Sequence, residues 1–388
     1  YFINESTCMK KYIRLNTLSF ILCVILSFPS TAQIGKPSLN DTITIYKEQA
    51  PVAAPVMMAK KWNQFNTKYF NLNIGIVLSV DYNIAMQNAN NVQQVGTVKS
   101  EGELRGDRII VSGNLLFFKQ PWRYQVTYSF NSLDTTGAKK FSFLDWNLEI
   151  PINKKAGWIT FGKQKEGVGY EYLVSRTQGM FTERGSGEPV FVRQRNIGIK
   201  YGNSIINQRL TYTLGLYNNW IETGNTFDAN GSQIVARSSA LPIYKSDRQL
   251  LHVAAGYRYT GASDTVFSYS GKPEVHTAPS YVKTGSFNAT SANSLMLECL
   301  GVKGPFSFLA EYMNTWVNSS NTGNPKINFF QLATSWFITG ENRQYNKLTG
   351  NQTKIIPNKN FRLKKGGGPG AFELGARYSN TNLNSQGV

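Results

Sequence analysis

The sequence is poor in the residues on which several common protein classes depend. It has three cysteines and two histidines in 388 residues, and only Cys299 lies beyond residue 33. A lone cysteine cannot build a disulfide framework or a cysteine-based zinc site. Beyond residue 33, no run approaches the roughly eighteen uninterrupted apolar residues of a membrane helix. The sequence therefore argues against a disulfide scaffold and against a helical membrane protein, and we expect no cofactor and no metal.

The start of the chain has the three parts of a secretory signal peptide. From Met9, a basic stretch at 10–14 precedes an apolar run at 18–28, and small residues lead to Ala32. The apolar run is too short to span a bilayer. We therefore interpret residues 1–32 as upstream residues and a signal peptide that is cleaved near Ala32.

Residues 33–61 are predicted to form a periplasmic linker rich in proline and alanine, including APVAAPVMMA at 50–59. Within it, DTITI at 41–45 resembles the short box by which energised outer-membrane transporters recruit an inner-membrane partner. Such transporters also carry a large plug before the first strand, and this linker has no room for one. A transporter is therefore not the favoured interpretation.

Charge is the next informative feature of the chain. It has 41 basic and 23 acidic residues, a formal net charge of +18, of which residues 1–32 contribute three basic and one acidic, leaving +16. A basic excess can serve nucleic acid, an anionic membrane surface or an anionic solute. Secretion argues against nucleic acid, so small inorganic anions, outer-membrane lipid and lipopolysaccharide are the expected partners.

One stretch, 70–84, alternates apolar and mostly polar residues without a break, as FNLNIGIVLSVDYNI. Period-two alternation predicts a strand with one apolar and one wet face. Strands of soluble sheets usually have about five or six residues, whereas a strand that crosses a bilayer needs about nine to eleven. A soluble sandwich or solenoid is the alternative for this stretch taken alone.

The same alternation recurs along the chain, which decides between these alternatives. Further strands are predicted at 108–117, 122–131, 144–150, 158–163, 195–202, 208–219, 249–260, 294–303, 306–316, 326–340 and 371–380. Short turns alternate with long polar loops at 164–191, 223–248, 261–293 and 342–370. About twelve strands, an aromatic-rich apolar face and no convincing helix predict an all-β, transmembrane antiparallel β-barrel over residues 62–388. The chain ends in a polar tail after a strand, so we expect C-terminal strands to be missing from it.

Several stretches of the chain resemble the phosphate-selective porin O and P family of Gram-negative outer membranes. They are GKQKEGVGYEYLVSRTQGMFTERG with VRQRNIGI at 162–199, GPFSFLAEY at 304–312, SWFITGENRQY at 335–345 and GAFELGARYS at 370–379. Their order and spacing match across roughly residues 62–380. The resemblance implies a 16-stranded barrel, usually a homotrimer, whose lumen passes anions and in some members prefers phosphate or polyphosphate. The linker departs from members that carry a coiled coil there, because it has no heptads.

Basic side chains are the candidates for an anion path, because fixed positive charge lets anions cross a low-dielectric wall. Strand parity turns four of them inward: Arg108, Arg123, Lys200 and Arg258. The loop at 164–193 is expected to fold inward and narrow the pore, which adds Lys165, Arg176, Arg184, Arg193 and Arg195. The alternative is that these residues are solvated, bind lipid phosphate or are neutralised by Glu166, Glu171, Glu183 and Glu188.

The remaining ionisable residues give no sign of catalysis. Neither His252 nor His276 has the spacing of a metal site or a catalytic triad, so both are interpreted as structural or solvated. Glu311 and Glu341 are expected to pair with lumen arginines. The basic loop at 342–370 is either an electrostatic funnel or a rim that contacts lipopolysaccharide. An anion porin is the favoured function, and an adhesion or scaffold barrel and, less so, a barrel hydrolase are the alternatives.

Overall fold

The structure is a computed structural model that describes residues 63–130, 142–153, 155–219, 221, 231–262, 266–363 and 366–385. The signal peptide at 1–32, the linker at 33–61 and the box at 41–45 lie outside these residues. The predictions about them stay predictions.

Strands dominate the described residues. They are β1 Gln64–Asn66, β2 Phe70–Val77, β3 Val80–Asn83, β4 Glu101–Leu104, β5 Arg108–Leu115, β6 Trp122–Ser129, β7 Ser142–Asn153, β8 Gly157–Gln164, β9 Asn196–Ile205, β10 Leu210–Tyr217, β11 Gln233–Ser246, β12 Gln249–Gly261, β13 Val266–Gly271, β14 Val282–Asn288, β15 Ser291–Lys303, β16 Phe306–Asn318, β17 Lys326–Phe337, β18 Tyr345–Asn346, β19 Asn351–Gln352 and β20 Glu373–Asn382. Three short helices accompany them: α1 Ala89–Val95, α2 Tyr170–Leu173 and α3 Glu188–Phe191. None of the helices in the described ranges is long and apolar enough to cross a membrane.

Fourteen of the strands form one antiparallel sheet in the order β1-β2-β5-β6-β7-β8-β9-β10-β11-β12-β15-β16-β17-β20. The other six form three hairpins, β3–β4, β13–β14 and β18–β19, in the connections. The family resemblance implies sixteen strands. The described residues give fourteen, and the edge strands β1 and β20 are not paired with each other.

Alternation of side chains gives the sheet an apolar outer face. In β12 the outward positions include Val253 and Tyr257, whereas His252 and Arg258 point to the buried side. In β16 and β17 the outward positions include Tyr312 and Trp336. The predicted all-β class and the apolar, aromatic outer face are confirmed.

The sheet curls around an interior. The segment 176–184 lies inside it and contacts both ends of the strand order. Arg176 donates from Nη2 to Ser79 Oγ at 2.8 Å, close to the edge formed by β1 and β2. At the opposite edge, Arg377 of β20 donates to the Glu183 carbonyl at 2.9 Å and stacks on Phe181. The fourteen strands therefore form the wall of a barrel.

The connections differ strongly between the two ends of the sheet. At one end they are mostly long, at 78–107, 130–141, 165–195, 218–232 and 262–290, with one short exception at 319–325. At the other end they are mostly short turns, at 67–69, 116–121, 154–156, 206–209, 247–248 and 304–305, with one long exception at 338–372. Outer-membrane barrels carry long extracellular loops and short periplasmic turns. We call the two ends the long-loop end and the short-turn end.

Two sequence predictions about these elements are wrong. The stretch 70–84 is not one strand, because β2 ends at Val77 and β3 pairs with β4 in a separate hairpin. The predicted loop at 223–248 contains the long strand β11. The basic loop at 342–370 lies at the short-turn end, and its interpretations as a funnel or a lipopolysaccharide-contacting rim both stay predictions.

Candidate functional site

The connection between β8 and β9, residues 165–195, folds into the interior, as predicted. We call it the constriction loop. Its apolar side chains Val168 and Phe191 pack with Met296, Met313 and Phe329 on the inner faces of β15, β16 and β17. Gly187 lies directly against the Phe329 ring, because a Cβ there would come within 2.1 Å of Phe329 Cγ. One side of the loop is therefore held by apolar packing.

Polar anchors fix the same side of the constriction loop. Glu311 of β16 accepts the backbone N–H of Tyr170 at 2.6 Å and an amide N–H of Gln331 at 2.6 Å. Arg258 of β12 pairs with Glu166, with Nε at 2.5 Å from Oε2. Each anchor joins residues far apart in the sequence. Together they fix how far the loop reaches into the interior.

A second segment enters the interior from the short-turn end. It is part of the connection between β17 and β20 and contains Tyr345 and Gln352. The Gln352 side chain donates to the Gln178 carbonyl of the constriction loop at 2.5 Å. Two connections from opposite ends therefore meet inside the sheet.

A buried charged network lies where they meet. Arg237 of β11 pairs with Glu298 of β15, with Nη2 at 2.6 Å from Oε2, and Arg237 also donates to the Gly350 carbonyl at 2.9 Å. His252 shares a hydrogen bond of 2.6 Å with the Tyr345 hydroxyl and lies 3.4 Å from Glu298. His252 is fully buried, in keeping with its interpretation as structural.

The opposite side of the constriction loop is basic and faces β5 to β9. Four predicted site residues there form no ion pair with a carboxylate of the described residues: Arg108, Lys165, Arg184 and Lys200. Their hydrogen bonds go to backbone carbonyls instead. Lys165 donates to Leu173 and Val174, Arg184 to Glu171 and Val174, Lys200 to Lys165, and Arg108 to Gly106, at 2.8–3.3 Å.

These cations lie near one another. The charges of Arg195, Arg184 and Arg108 all act on the Lys165 ammonium, and Asp145 is the acidic neighbour that opposes them. Burial is the main cause that lowers the pKa of Lys165 well below its usual range, and the Arg195 and Arg184 charges lower it further. Arg184 also stacks on Tyr172, with its guanidinium 4.6 Å from the ring centre.

The other predicted site residues have different surroundings. Arg123 pairs with Glu149 at 2.6 Å and Arg195 with Asp145 at 2.5 Å. Arg176 lies 3.4 Å from Glu183 and 3.6 Å from Asp81. Arg193 is exposed. The structure thus brings Arg108, Lys165, Arg184, Arg195 and Lys200 together. It pairs Arg123, Arg176, Arg195 and Arg258 with carboxylates and leaves Arg193 at the surface.

The glutamates of the constriction loop do not neutralise its own basic side. Glu183 pairs with Arg105 at 2.8 Å, and Glu171 lies 3.4 Å from Arg377 of β20. Glu166 is engaged by Arg258, and no described residue donates a hydrogen bond to Glu188. Three of the four loop glutamates thus pair with arginines from outside the loop.

The expected partners of two other glutamates are wrong. Glu311 binds the backbone of Tyr170 and the side chain of Gln331, and Glu341 binds the Thr339 hydroxyl and the Asn358 N–H at 2.8 Å. Neither pairs with an arginine among the described residues.

Sequence reasoning missed four interior arginines: Arg105, Arg237, Arg343 and Arg377. Arg237 was missed because β11 was interpreted as a loop. Its strand does alternate, with Ile234 outside and Val235 inside, but small residues make the signal weak. For Arg377 the alternation of β20 is clear, so the parity test applied to Arg123 would have found it. Within the described residues no cluster of histidine, cysteine or acidic side chains is arranged to hold a metal.

A curled antiparallel sheet with an apolar outer face and a loop folded inside it defines a porin-type protein of the outer membrane. The chain belongs to the family of phosphate-selective porins O and P, whose model matches residues 74–388. The family resemblance found in the sequence motifs is therefore confirmed.

Comparison with curated proteins gives no match. Among solved structures, the chain is similar to the trimer form of OmpT, an outer membrane protein of Vibrio cholerae, at 11% identity over 80% of this chain and 100% of that one, with a TM-score of 0.37. It is also similar to DcaP, an outer membrane channel of Acinetobacter baumannii, at 10% identity over 81% and 99% of the chains and a TM-score of 0.37. A third is Salmonella typhi OmpF, at 9% identity over 82% and 100%, with a TM-score of 0.39.

Proposed function

We propose that this porin passes small anions, phosphate among them, through a lumen that the constriction loop narrows, and that it works as a homotrimer after signal-peptide cleavage near Ala32. Membership of a porin family supports a channel rather than a hydrolase. The trimer is proposed from the family resemblance. The solved structure of OmpT is described as a trimer form, which is a property of OmpT.

The observation that carries the proposal is the set of cations held by carbonyls, Arg108, Lys165, Arg184 and Lys200. A carbonyl orients an ammonium or guanidinium group without cancelling its charge, whereas a carboxylate cancels it. The loop glutamates that could have cancelled these charges are mostly engaged with arginines outside the loop. The basic side of the loop therefore keeps a positive field that favours anions over cations.

The geometry also suits passage rather than tight capture. Several weakly held cations in sequence let an anion enter and leave, because no single site binds it strongly. Arg184 uses Nε and Nη2 for carbonyls, which leaves further N–H donors for a passing solute. Phosphate and chloride would share this path.

The test is the reversal potential of the full-length protein in planar bilayers under a salt gradient. We expect anion selectivity in the wild type. The double variant Lys165→Met/Arg184→Gln should lower the anion-to-cation permeability ratio roughly fivefold, which corresponds to about 1 kcal/mol of lost electrostatic attraction.

The control variant is Arg193→Gln, which removes an exposed loop charge of the same sign. It should change the ratio much less than the double variant. Cation preference in the wild type would contradict the proposal. No conductance at all would favour the adhesion or scaffold alternative.

A further inference from the structure

The β13–β14 hairpin reaches across the long-loop end of the barrel. Its tip, residues 272–281, contacts elements on the far side of the opening. His276 Nδ1 lies 2.5 Å from a carboxylate oxygen of Glu103 in β4, and Asn83 of β3 donates to the Thr277 hydroxyl at 3.3 Å. The tip therefore lies over the opening of the barrel, above the constriction loop.

From this tip, Glu274 inserts its carboxylate between β20 and the constriction loop. Four donors converge on it. Oε1 accepts the backbone N–H of Ser186 at 3.0 Å and the Ser379 hydroxyl, and Oε2 accepts Nε of Arg377 at 3.0 Å and its Nη2. The Arg377 fork, one N–H and one hydroxyl form a cradle of the kind that binds a free oxyanion.

The backbone at Glu274 is in the left-handed region, with φ of 64°. This conformation is unfavourable for a residue with a Cβ and persists only where other contacts compensate. The contacts that compensate here are those of the carboxylate. The backbone conformation at Glu274 thus places the negative charge of its carboxylate in this cradle.

Resting on the proposed function, we propose that Arg377, Ser379 and the Ser186 N–H form an anion-binding site at the entrance, and that the Glu274 carboxylate occupies it as a tethered competitor. Solute oxyanions such as phosphate and the hairpin tip then exclude each other. A bound oxyanion takes the place of the carboxylate and obstructs the entrance for other anions.

Several features favour exchange over a permanent structural pair. The Glu274 side chain is 18% exposed, so its cradle opens towards solvent. Arg377 keeps other contacts when Glu274 leaves, since Nη1 donates to the Glu183 carbonyl at 2.9 Å and lies 3.4 Å from Glu171. The Ser186 hydroxyl is also held, 2.7 Å from the Thr381 hydroxyl. The cradle therefore stays assembled around an incoming anion.

The test measures block of chloride current by inorganic phosphate in planar bilayers, with the full-length chain and Glu274→Ala. A site freed of its competitor binds with its full intrinsic affinity. We expect the phosphate concentration for half block to fall at least fivefold. Adding Arg377→Met to Glu274→Ala should return it to the wild-type value or above. Folding of each variant is judged by the heat-dependent gel mobility of the barrel. If Glu274→Ala does not fold, Glu274→Gln replaces it in the test.

The matched control is Glu103→Gln, which removes the other carboxylate that contacts the tip and leaves the cradle filled. It should leave half block unchanged. An unchanged value in Glu274→Ala, a gain that survives loss of Arg377, or the same gain in Glu103→Gln would each overturn the site. Cation selectivity of the wild type would instead overturn the proposed function, so the two failures are distinguishable.

Discussion

At the scale of single residues, the partner of each interior cation decides what it can do. Arg123 and Glu149 face each other across β6 and β7, so their charges cancel locally. Lys200, on a strand of the same wall, donates to the Lys165 carbonyl and forms no ion pair with a described carboxylate. Parity in a strand can show that a side chain points inward, but it cannot show which of these two outcomes applies.

Glu188 is one residue that makes stability depend on pH. It is fully buried, and neither carboxylate oxygen accepts a hydrogen bond from a described residue. Burial raises its pKa well above 4.5, the neighbouring charges of Glu311 and Glu171 raise it further, and Arg184 opposes them. From pH 4.5 upwards, the folded protein therefore holds a proton that the unfolded chain has lost. Stability falls as pH rises through this window, by up to about 1.4 kcal/mol per pH unit.

The variant Glu188→Gln should have a shallower slope than the wild type, because its amide stays neutral at every pH. The measurement is urea unfolding in detergent at several pH values, with Glu183→Gln as the control for loss of a half-buried loop carboxylate. We expect Glu188→Gln to gain stability over the wild type as pH rises. Parallel pH curves for wild type and Glu188→Gln would show that Glu188 is already ionised in the fold.

At the scale of elements, the constriction loop depends on close contact with β17. A methyl group at Gly187 would overlap the Phe329 ring, and overpacking of this kind costs about 1–3 kcal/mol. Gly187→Ala should therefore shift α3 away from β17 and loosen the loop. We expect a larger single-channel conductance and weaker selectivity, measured in planar bilayers.

The control for this prediction is Gly301→Ala on β15, where a Cβ would meet nothing within 4 Å. It should leave conductance unchanged. If Gly187→Ala has the same conductance as the wild type, the contact between Gly187 and Phe329 does not determine the width of the pore.

Local pattern predicted most of the wall and little of the interior. Alternation located β5, β6, β12 and β16 because one face of each must be apolar. The same rule failed after Val77, where Leu78, Val80, Tyr82 and Ile84 continue the alternation but are 69–77% exposed on a hairpin outside the wall. The site depends on contacts between distant parts of the chain, such as Tyr170 with Glu311 and Glu274 with Arg377, and no local periodicity encodes them.

At the scale of the whole molecule, the interior is divided. The inner faces of β15 to β17 carry large apolar side chains beneath the constriction loop, with Met296, Leu309 and Phe329 fully buried, and these share the faces with the buried polar residues Glu298, Glu311 and Gln331. The wall from β5 to β9 is polar and carries the cations. A loop that must be held in place needs apolar packing on one side. The predicted site cations that form no ion pair with a described carboxylate, Arg108, Lys165, Arg184 and Lys200, are therefore concentrated on the other side of the path.

Selectivity that arises from such a field must depend on salt. The screening length is about 10 Å at 0.1 M ionic strength and about 3 Å at 1 M. We expect the anion-to-cation permeability ratio, taken from reversal potentials at a constant concentration gradient, to fall several-fold between these conditions. The permeability ratio of Lys165→Met/Arg184→Gln should depend less steeply on salt, because this variant has a weaker positive field for salt to screen. A ratio that does not change with salt would mean that direct contact or pore size, and not the unpaired cations, selects the anion.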